Sequence, residues 1–298
     1  MLRIVLFPLL AMLTFGATAQ GPMKKPPLPP GRDPGGVAIA LITTGIDYTA
    51  PHVARGVARD GEGELIGFDL VDNDNRPFGN AGDTRLAITL LDQQIGARLI
   101  PVRADTSDPI SMARAAAFIA HTPARIAVLP ASSMHKEDWE PFRKAVEHLP
   151  QILFIAAAGD DGRDLDKEPT YPAAFGLANV LVVTAAGLQE GQSPTIGMLP
   201  RANWGANTVD AVALADDSVL ASVVAAKAAA ATLAPASKPT GAELKQKLIK
   251  SALRQREEET PRRTRSLAVM TPVVVRSRMD PVDRILDKAR IPERLETR

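Results

Sequence analysis

The chain has 298 residues, 45% of them hydrophobic, and a formal net charge of +1. That length supports one sizeable core with terminal extensions, and the balanced charge argues against a general nucleic-acid binder, whose domain would carry a basic excess. Cysteine is absent, which excludes disulfides, thiol nucleophiles and thiolate metal sites.

The first segment, residues 1–19, reads as a secretory signal. Arg3 is its positive start, Ile4 to Phe15 its short apolar run, and Ala17-Thr18-Ala19 its small-residue cleavage site. A membrane span takes about 20 apolar residues, so this run is too short, and no later segment is long and apolar enough. The mature chain is expected outside the cytoplasm, periplasmic or secreted, with no membrane span after signal cleavage. Residues 20–36 form a proline-rich linker, with Pro26, Pro27, Pro29 and Pro30 closely spaced, and such a segment is an extended tether rather than a folded unit.

Regular structure is expected from Val37, where a short apolar run to Ile42 has the form of a buried parallel strand. Leu65 to Val71 reads as a strand and Arg85 to Ile95 as a helix. Arg98–Val102, Ile126–Leu129, Ile152–Ala157, Val180–Ala185 and Val209–Leu214 read as further strands. Helices are expected at Ile110–His121, Glu137–His148, Ser218–Leu233 (alanine-rich and closely packed) and Gly241–Leu253. Strands alternating with helices predict an α/β fold, a three-layer parallel sheet with helices on both faces. Ligands of such sheets bind beyond the carboxyl ends of the strands. Residues 37–255 make up this domain, and 256–298 a charged C-terminal tail. The tail is expected to be solvated, its charge blocks exposed, with a partner-docking segment as the sharper reading. Within it, Val273–Val275 could add a strand and Pro281–Ala289 a short helix.

Several strand-end segments fall into one order. Ala40-Leu41-Ile42-Thr43-Thr44-Gly45-Ile46-Asp47 resembles the A-V-I-D-T-G-I-D segment of the subtilisin-like serine proteases, the subtilases. Gly67 to Asn75 is similar to that family's G-x-D-F-V-D-N-D-N stretch, and Pro101-Val102-Arg103 to its P-V-R-V strand. Arg125 to Ser133 lies where the V-I-N-M-S-L-G strand belongs. Ala156 to Gly162 resembles A-A-A-G-N-x-G, Tyr171-Pro172-Ala173 matches Y-P-A, and Val180 to Ala186 resembles V-I-x-V-G-A. Ser218 to Ala231 lies where G-T-S-M-A-A-P-H-V-A-G-A-A-A is expected. The resemblance spans about residues 37–255 and implies a subtilisin-like fold.

It also implies a catalytic set that this chain lacks. Thr43 stands at the triad aspartate position, and Gly82 at the triad histidine position, in Gly82-Asp83-Thr84-Arg85 against H-G-T-H. Ser218 keeps the nucleophile position, but Asp216-Asp217 replaces the G-T before it. Asp160 replaces the oxyanion asparagine. A serine hydroxyl needs a base to take its proton and a carboxylate to orient that base. An ionised carboxylate only accepts hydrogen bonds, so it repels an oxyanion. In subtilisin, loss of the serine or the histidine lowers turnover about 10⁶-fold, and an oxyanion donor is worth roughly 10²–10³-fold.

Few other residues could substitute for the missing groups. Among the histidines, His121 and His148 fall at helix ends opposite the site, and His52 follows the first strand. His135 alone is expected on the site face, as an exposed loop residue. Sedolisins place an aspartate in the oxyanion hole, as Asp160 would be, but they need a glutamate that is missing near Asp83. Ser218 is expected to cap its helix. Asp69, Asp72 and Asp74 are expected as a solvated acidic loop rather than a cation site. Gly61, Gly63 and Gly67 precede a strand and make no dinucleotide fingerprint. Neither a cofactor nor a metal is expected. Many subtilases carry a folded propeptide, for which the short tether leaves no room.

The expected function is that of an exported pseudoprotease, a non-catalytic binding or scaffolding module. Its partner would be a protein or peptide, held in the degenerate cleft or by the tail. The alternative is an active serine-type hydrolase of the subtilase group with unconventional catalysis, and a third reading is a structural envelope protein. An imidazole or shielded carboxylate touching the Ser218 hydroxyl would overturn the inert expectation.

Overall fold

The structure is a computed structural model, and it describes residues 25–79, 81–92, 96–189, 195–233, 237–251, 253–254 and 268–270. The chain order is β1 (Val37–Thr43), α1 (Pro51–Ala54), β2 (Phe68–Asp69), α2 (Ala81–Leu91), β3 (Ala97–Arg103), α3 (Pro109–Ile119), β4 (Ile126–Leu129), α4 (Glu140–Glu147) and β5 (Leu153–Ala157). It continues with β6 (Val180–Gln189), β7 (Thr195–Met198), β8 (Ala211–Leu214), α5 (Ser218–Thr232), α6 (Gly241–Ser251), β9 (Leu253–Arg254) and β10 (Ala268–Met270). The sheet runs β2-β3-β1-β4-β5-β6-β8-β10-β9, with β7 paired to β6. All pairings are parallel except β6–β7 and β9–β10.

Strand residues alternate between faces, so a strand buried on both sides is apolar throughout. Ile39 and Leu41 of β1, Ile126 and Val128 of β4, and Leu153 and Ile155 of β5 enter one core cluster with residues of α2, α5 and α6. Ala40 and Ile42, Ala127 and Leu129, and Phe154 and Ala156 enter the opposite cluster with residues of α3 and α4. This is the parallel three-layer arrangement expected from the alternating pattern.

Differences from the sequence reading lie at element ends. The Leu65–Val71 strand shrinks to Phe68–Asp69, because β2 is an edge strand whose chain turns away at once to place its aspartates. Helix α2 starts at Ala81 rather than Arg85. The 137–148 helix opens with a 3₁₀ turn, Glu137–Trp139. Strands β7, β9 and β10 were not foreseen, and β10 lies parallel to β8 beyond residue 255. The proposed elements at 273–275 and 281–289 lie outside the described residues.

Helix α5 is buried on nearly all sides from Ala221 to Ala230. Small side chains let it thread between sheet and helices. Its cap is not Ser218, as expected, but Asp217, whose Oδ1 accepts the Leu220 N–H at 2.7 Å. An extended backbone at Asp217 puts its carboxylate over the first turn, and Ser218 is already helical.

From Lys25 onward the proline-rich segment has neither helix nor strand, and it is docked on the domain rather than standing free as a tether. Pro26 and Pro29 carbonyls accept hydrogen bonds from Tyr48 Oη at 2.7 Å and Arg59 Nη2 at 2.8 Å. Asp33 accepts from the Arg59 N–H at 2.8 Å and Arg98 Nη1 at 2.7 Å. Leu28 packs on the first core cluster. Among the described residues, no helix is long and apolar enough to cross a membrane.

Candidate functional site

Four segments meet beyond the carboxyl ends of the strands, where an open parallel sheet places its ligands. They are the turns after β1 and β5 and the first turns of α2 and α5. Asp83 of α2 reaches the β1 turn, its Oδ2 accepting the Thr44 N–H at 2.8 Å and the Thr44 hydroxyl at 2.7 Å. Arg85 of α2 pairs with Asp217 at the start of α5, Nη2 to Oδ2 at 2.7 Å. Gly82, Asp83, Arg85, Leu86, Asp217 and Val219 line an open depression of about 530 Å³.

The turn after β5 is built by a buried amide. Asn203 Nδ2 donates to the Ala158 carbonyl at 2.9 Å, and its Oδ1 accepts from the N–H groups of Asp161 and Arg163 at 3.0 and 2.9 Å. Gly159 has φ +96°, and a Cβ there would lie 2.5 Å from Asn203 Nδ2, so the turn requires glycine. This fold of the chain aims Asp160 at the first turn of α5. Sequence reasoning missed Asn203, since nothing local marks an asparagine whose partners lie some forty residues away.

Ser218 is 1% exposed. Its hydroxyl donates to Asp160 Oδ2 at 2.7 Å and accepts the Gly159 N–H at 3.1 Å. Its backbone N–H donates to both Asp160 oxygens, each at 3.1 Å. The expectation that nothing near this hydroxyl could accept its hydrogen is therefore corrected. The two residues are 58 apart in sequence and become neighbours only because α5 begins beside the end of β5. The contacting group is a half-buried carboxylate.

What that carboxylate does chemically follows from its partners. Asp160 takes both the N–H and the hydroxyl of Ser218, so a carboxylate sits on the first turn of α5, at the positive end of that helix.

The remaining site positions are described in the same terms. Thr43 is buried, and its hydroxyl accepts the Gly45 N–H at 3.1 Å, closing its own turn. Gly82 is exposed and brings no side chain to the depression. His52, His121, His135 and His148 are all exposed, and no hydrogen bond joins any of them to Ser218.

The reading of the acidic segment that starts at the end of β2 is corrected for one of its aspartates, Asp69. Lys25 Nζ lies 2.5, 2.9 and 2.9 Å from carboxylate oxygens of Asp69, Asp72 and Asp74. Arg103 Nη1 adds contacts of 2.8 and 2.6 Å to Asp69 and Asp72. Asp69 is fully buried and meets both cations, while the side chains of Asp72 and Asp74 stay 49% and 42% exposed, as in a solvated loop. Burial opposes the charge of Lys25, but the hydrogen bonds it donates to the three aspartates hold its ammonium well above the ordinary lysine range. Lys25 and Arg103 in turn hold Asp72 below the usual carboxylate range.

No protein-family model matches the chain, and no curated protein matches its sequence. Solved structures do. A cold-adapted subtilisin-like serine proteinase is 18% identical with a TM-score of 0.63, over 81% of this chain and 91% of that one. The prenylagaramide maturation protease PagA is 20% identical with a TM-score of 0.58, over 85% and 92%. The PatG macrocyclase domain is 16% identical with a TM-score of 0.52, over 80% and 90%. At these identities the likeness is one of fold, and the chain has the subtilisin-like α/β fold.

Proposed function

From that fold we propose that the protein is an exported, non-catalytic relative of subtilisin-like proteases, a pseudoprotease serving as a binding or scaffolding module. One observation carries the reading: Asp160 occupies both the N–H and the hydroxyl of Ser218. One carboxylate cannot both take the serine proton and stabilise an oxyanion at the same place. The base position offers only Gly82, and the Arg85–Asp217 pair joins the two helix starts that flank the depression. Residual acceleration in a triadless subtilisin, about 10³–10⁴-fold, comes from binding and the oxyanion hole. The hole is self-filled in this protein. The depression then serves to hold a protein or peptide segment, and the charged tail supplies further contact. Export rests on the residue 1–19 signal pattern.

The 2.7 Å contact between Asp160 and Ser218 favours a second reading, a serine-type hydrolase or acyl-transferring enzyme with a carboxylate partner for its serine. Its fold is shared by a protease and a macrocyclase. A fluorophosphonate probe decides between the two. The inert module stays unlabelled from acid to alkaline pH, and Asp160→Asn stays unlabelled too. Labelling that disappears in Ser218→Ala would establish the enzyme instead.

A further inference from the structure

The segment Lys25–Pro34 crosses the domain with no strand pairing of its own. It is held by polar anchors: Lys25 on three aspartates, the Pro26 and Pro29 carbonyls on Tyr48 and Arg59, and Asp33 on Arg59 and Arg98. It joins β1 through Gly35 and Gly36, at φ +71° and +83°. A Cβ on Gly36 would lie 1.9 Å from the Gly96 carbonyl, so this joint requires glycine.

The far end of the strap is wired to the cleft. Asp69 and Asp72 bind Lys25 and Arg103 together. The other side of the Arg103 guanidinium, Nε, donates to the Thr44 carbonyl at 3.0 Å. Thr44 in turn donates its N–H and hydroxyl to Asp83, in the first turn of α2 on the wall of the depression. Each link has at least one charged partner, which strengthens its hydrogen bond. A shift of the aspartates therefore reaches α2 through one guanidinium.

We propose that the N-terminal strap is a charge-held clasp, closed by Lys25 and hinged at Gly35–Gly36, whose closure sets the α2 wall of the cleft through Arg103, Thr44 and Asp83. The clasp works the same way over an inert cleft or an active one, so it does not depend on which function is right. With Lys25 seated, Asp69 and Asp72 are fixed and Arg103 is held against the β1 turn. With Lys25 withdrawn, Arg103 is left to neutralise both carboxylates and is drawn off Thr44, and the first turn of α2 loosens.

The absence of cysteine in the chain gives a direct test in the full-length protein. A single Gly82→Cys reporter stands on the wall, where a Cβ meets no atom within 4 Å. Lys25→Met is expected to raise its labelling rate by a thiol reagent about two- to tenfold, and Lys25→Arg to leave it near the parent value. Asp74→Asn, which loosens Lys25 without touching Arg103, is expected to act in the same direction and less strongly, and serves if Lys25→Met fails to fold. In an Arg103→Met background, removal of Lys25 should add nothing, since the relay is already cut. An unchanged rate in the Lys25 and Asp74 variants overturns the proposal. So does an equal increment with and without Arg103.

Discussion

The two aspartate-centred regions on the carboxyl side of the sheet solve one electrostatic problem differently. At the end of β2, Asp69 is fully buried and meets an ammonium and a guanidinium. After β5, Asp160 is half-buried and meets only neutral donors, the N–H and hydroxyl at the start of α5. The first is a set of opposite full charges, the second a carboxylate on the positive end of a helix. In sequence the first reads as a solvated acidic loop and the second as a carboxylate that would repel an oxyanion. Each is filled by the protein's own groups, so an acidic residue at a family's functional position says little until its partner is known.

The contrast predicts unequal energies. Asp69→Ala leaves Lys25 and Arg103 without a buried counter-charge, and should lower stability by about 3–5 kcal/mol, read from the midpoint of urea unfolding. Asp160→Ala strands two donors without stranding a charge, and should cost about 1–3 kcal/mol. Asp160→Asn, which keeps an acceptor, should cost less. Equal losses for Asp69→Ala and Asp160→Ala would erase the distinction.

Acid should sharpen it further. Asp72 lies below the usual carboxylate range because Lys25 and then Arg103 hydrogen-bond it. Burial pushes Asp33 and Asp74 up, but their partners outweigh it, Arg59, Gly35 and Arg98 for the first and Lys25 and Arg76 for the second. Groups lowered on folding contribute stability that is present above the ordinary range, near pH 4, and lost as pH falls through their folded values. Lys25 is raised, so its share persists through neutral pH and is lost only above the ordinary lysine range. Thermal midpoints should therefore be flat from about pH 5 to 9 and fall below that. Lys25→Met should flatten the acid limb. The smallest expected effect is on the wall of the depression: Gly82→Ala, helical with open space around the added carbon, should stabilise by about 0.5–1 kcal/mol.

Much of the fold was legible because it is written in local periodicity. Ile126–Leu129 matches its strand end for end, and Val37, Arg98, Ile152 and Val180 each lie within a residue of a strand start. The Leu65–Val71 segment misled because its hydrophobicity suits a strand but its aspartates are drawn off by Lys25 and Arg103. The site was legible as a list of positions. Thr43 and Gly82 could be seen to bring no acid and no base, since chemistry of that kind belongs to the residue itself. The Asp160–Ser218 contact could not be seen, and neither could the clasp on Asp69 nor the part of Asn203.

By itself, then, the sequence determined the layered parallel sheet and the order of its elements. These follow from side-chain type and spacing along the chain. Only the tertiary structure decided how each carboxylate is satisfied. That depends on which donor, dozens of residues away, the packed sheet brings within about 3 Å, and at that range a single neighbour separates an open site from a filled one.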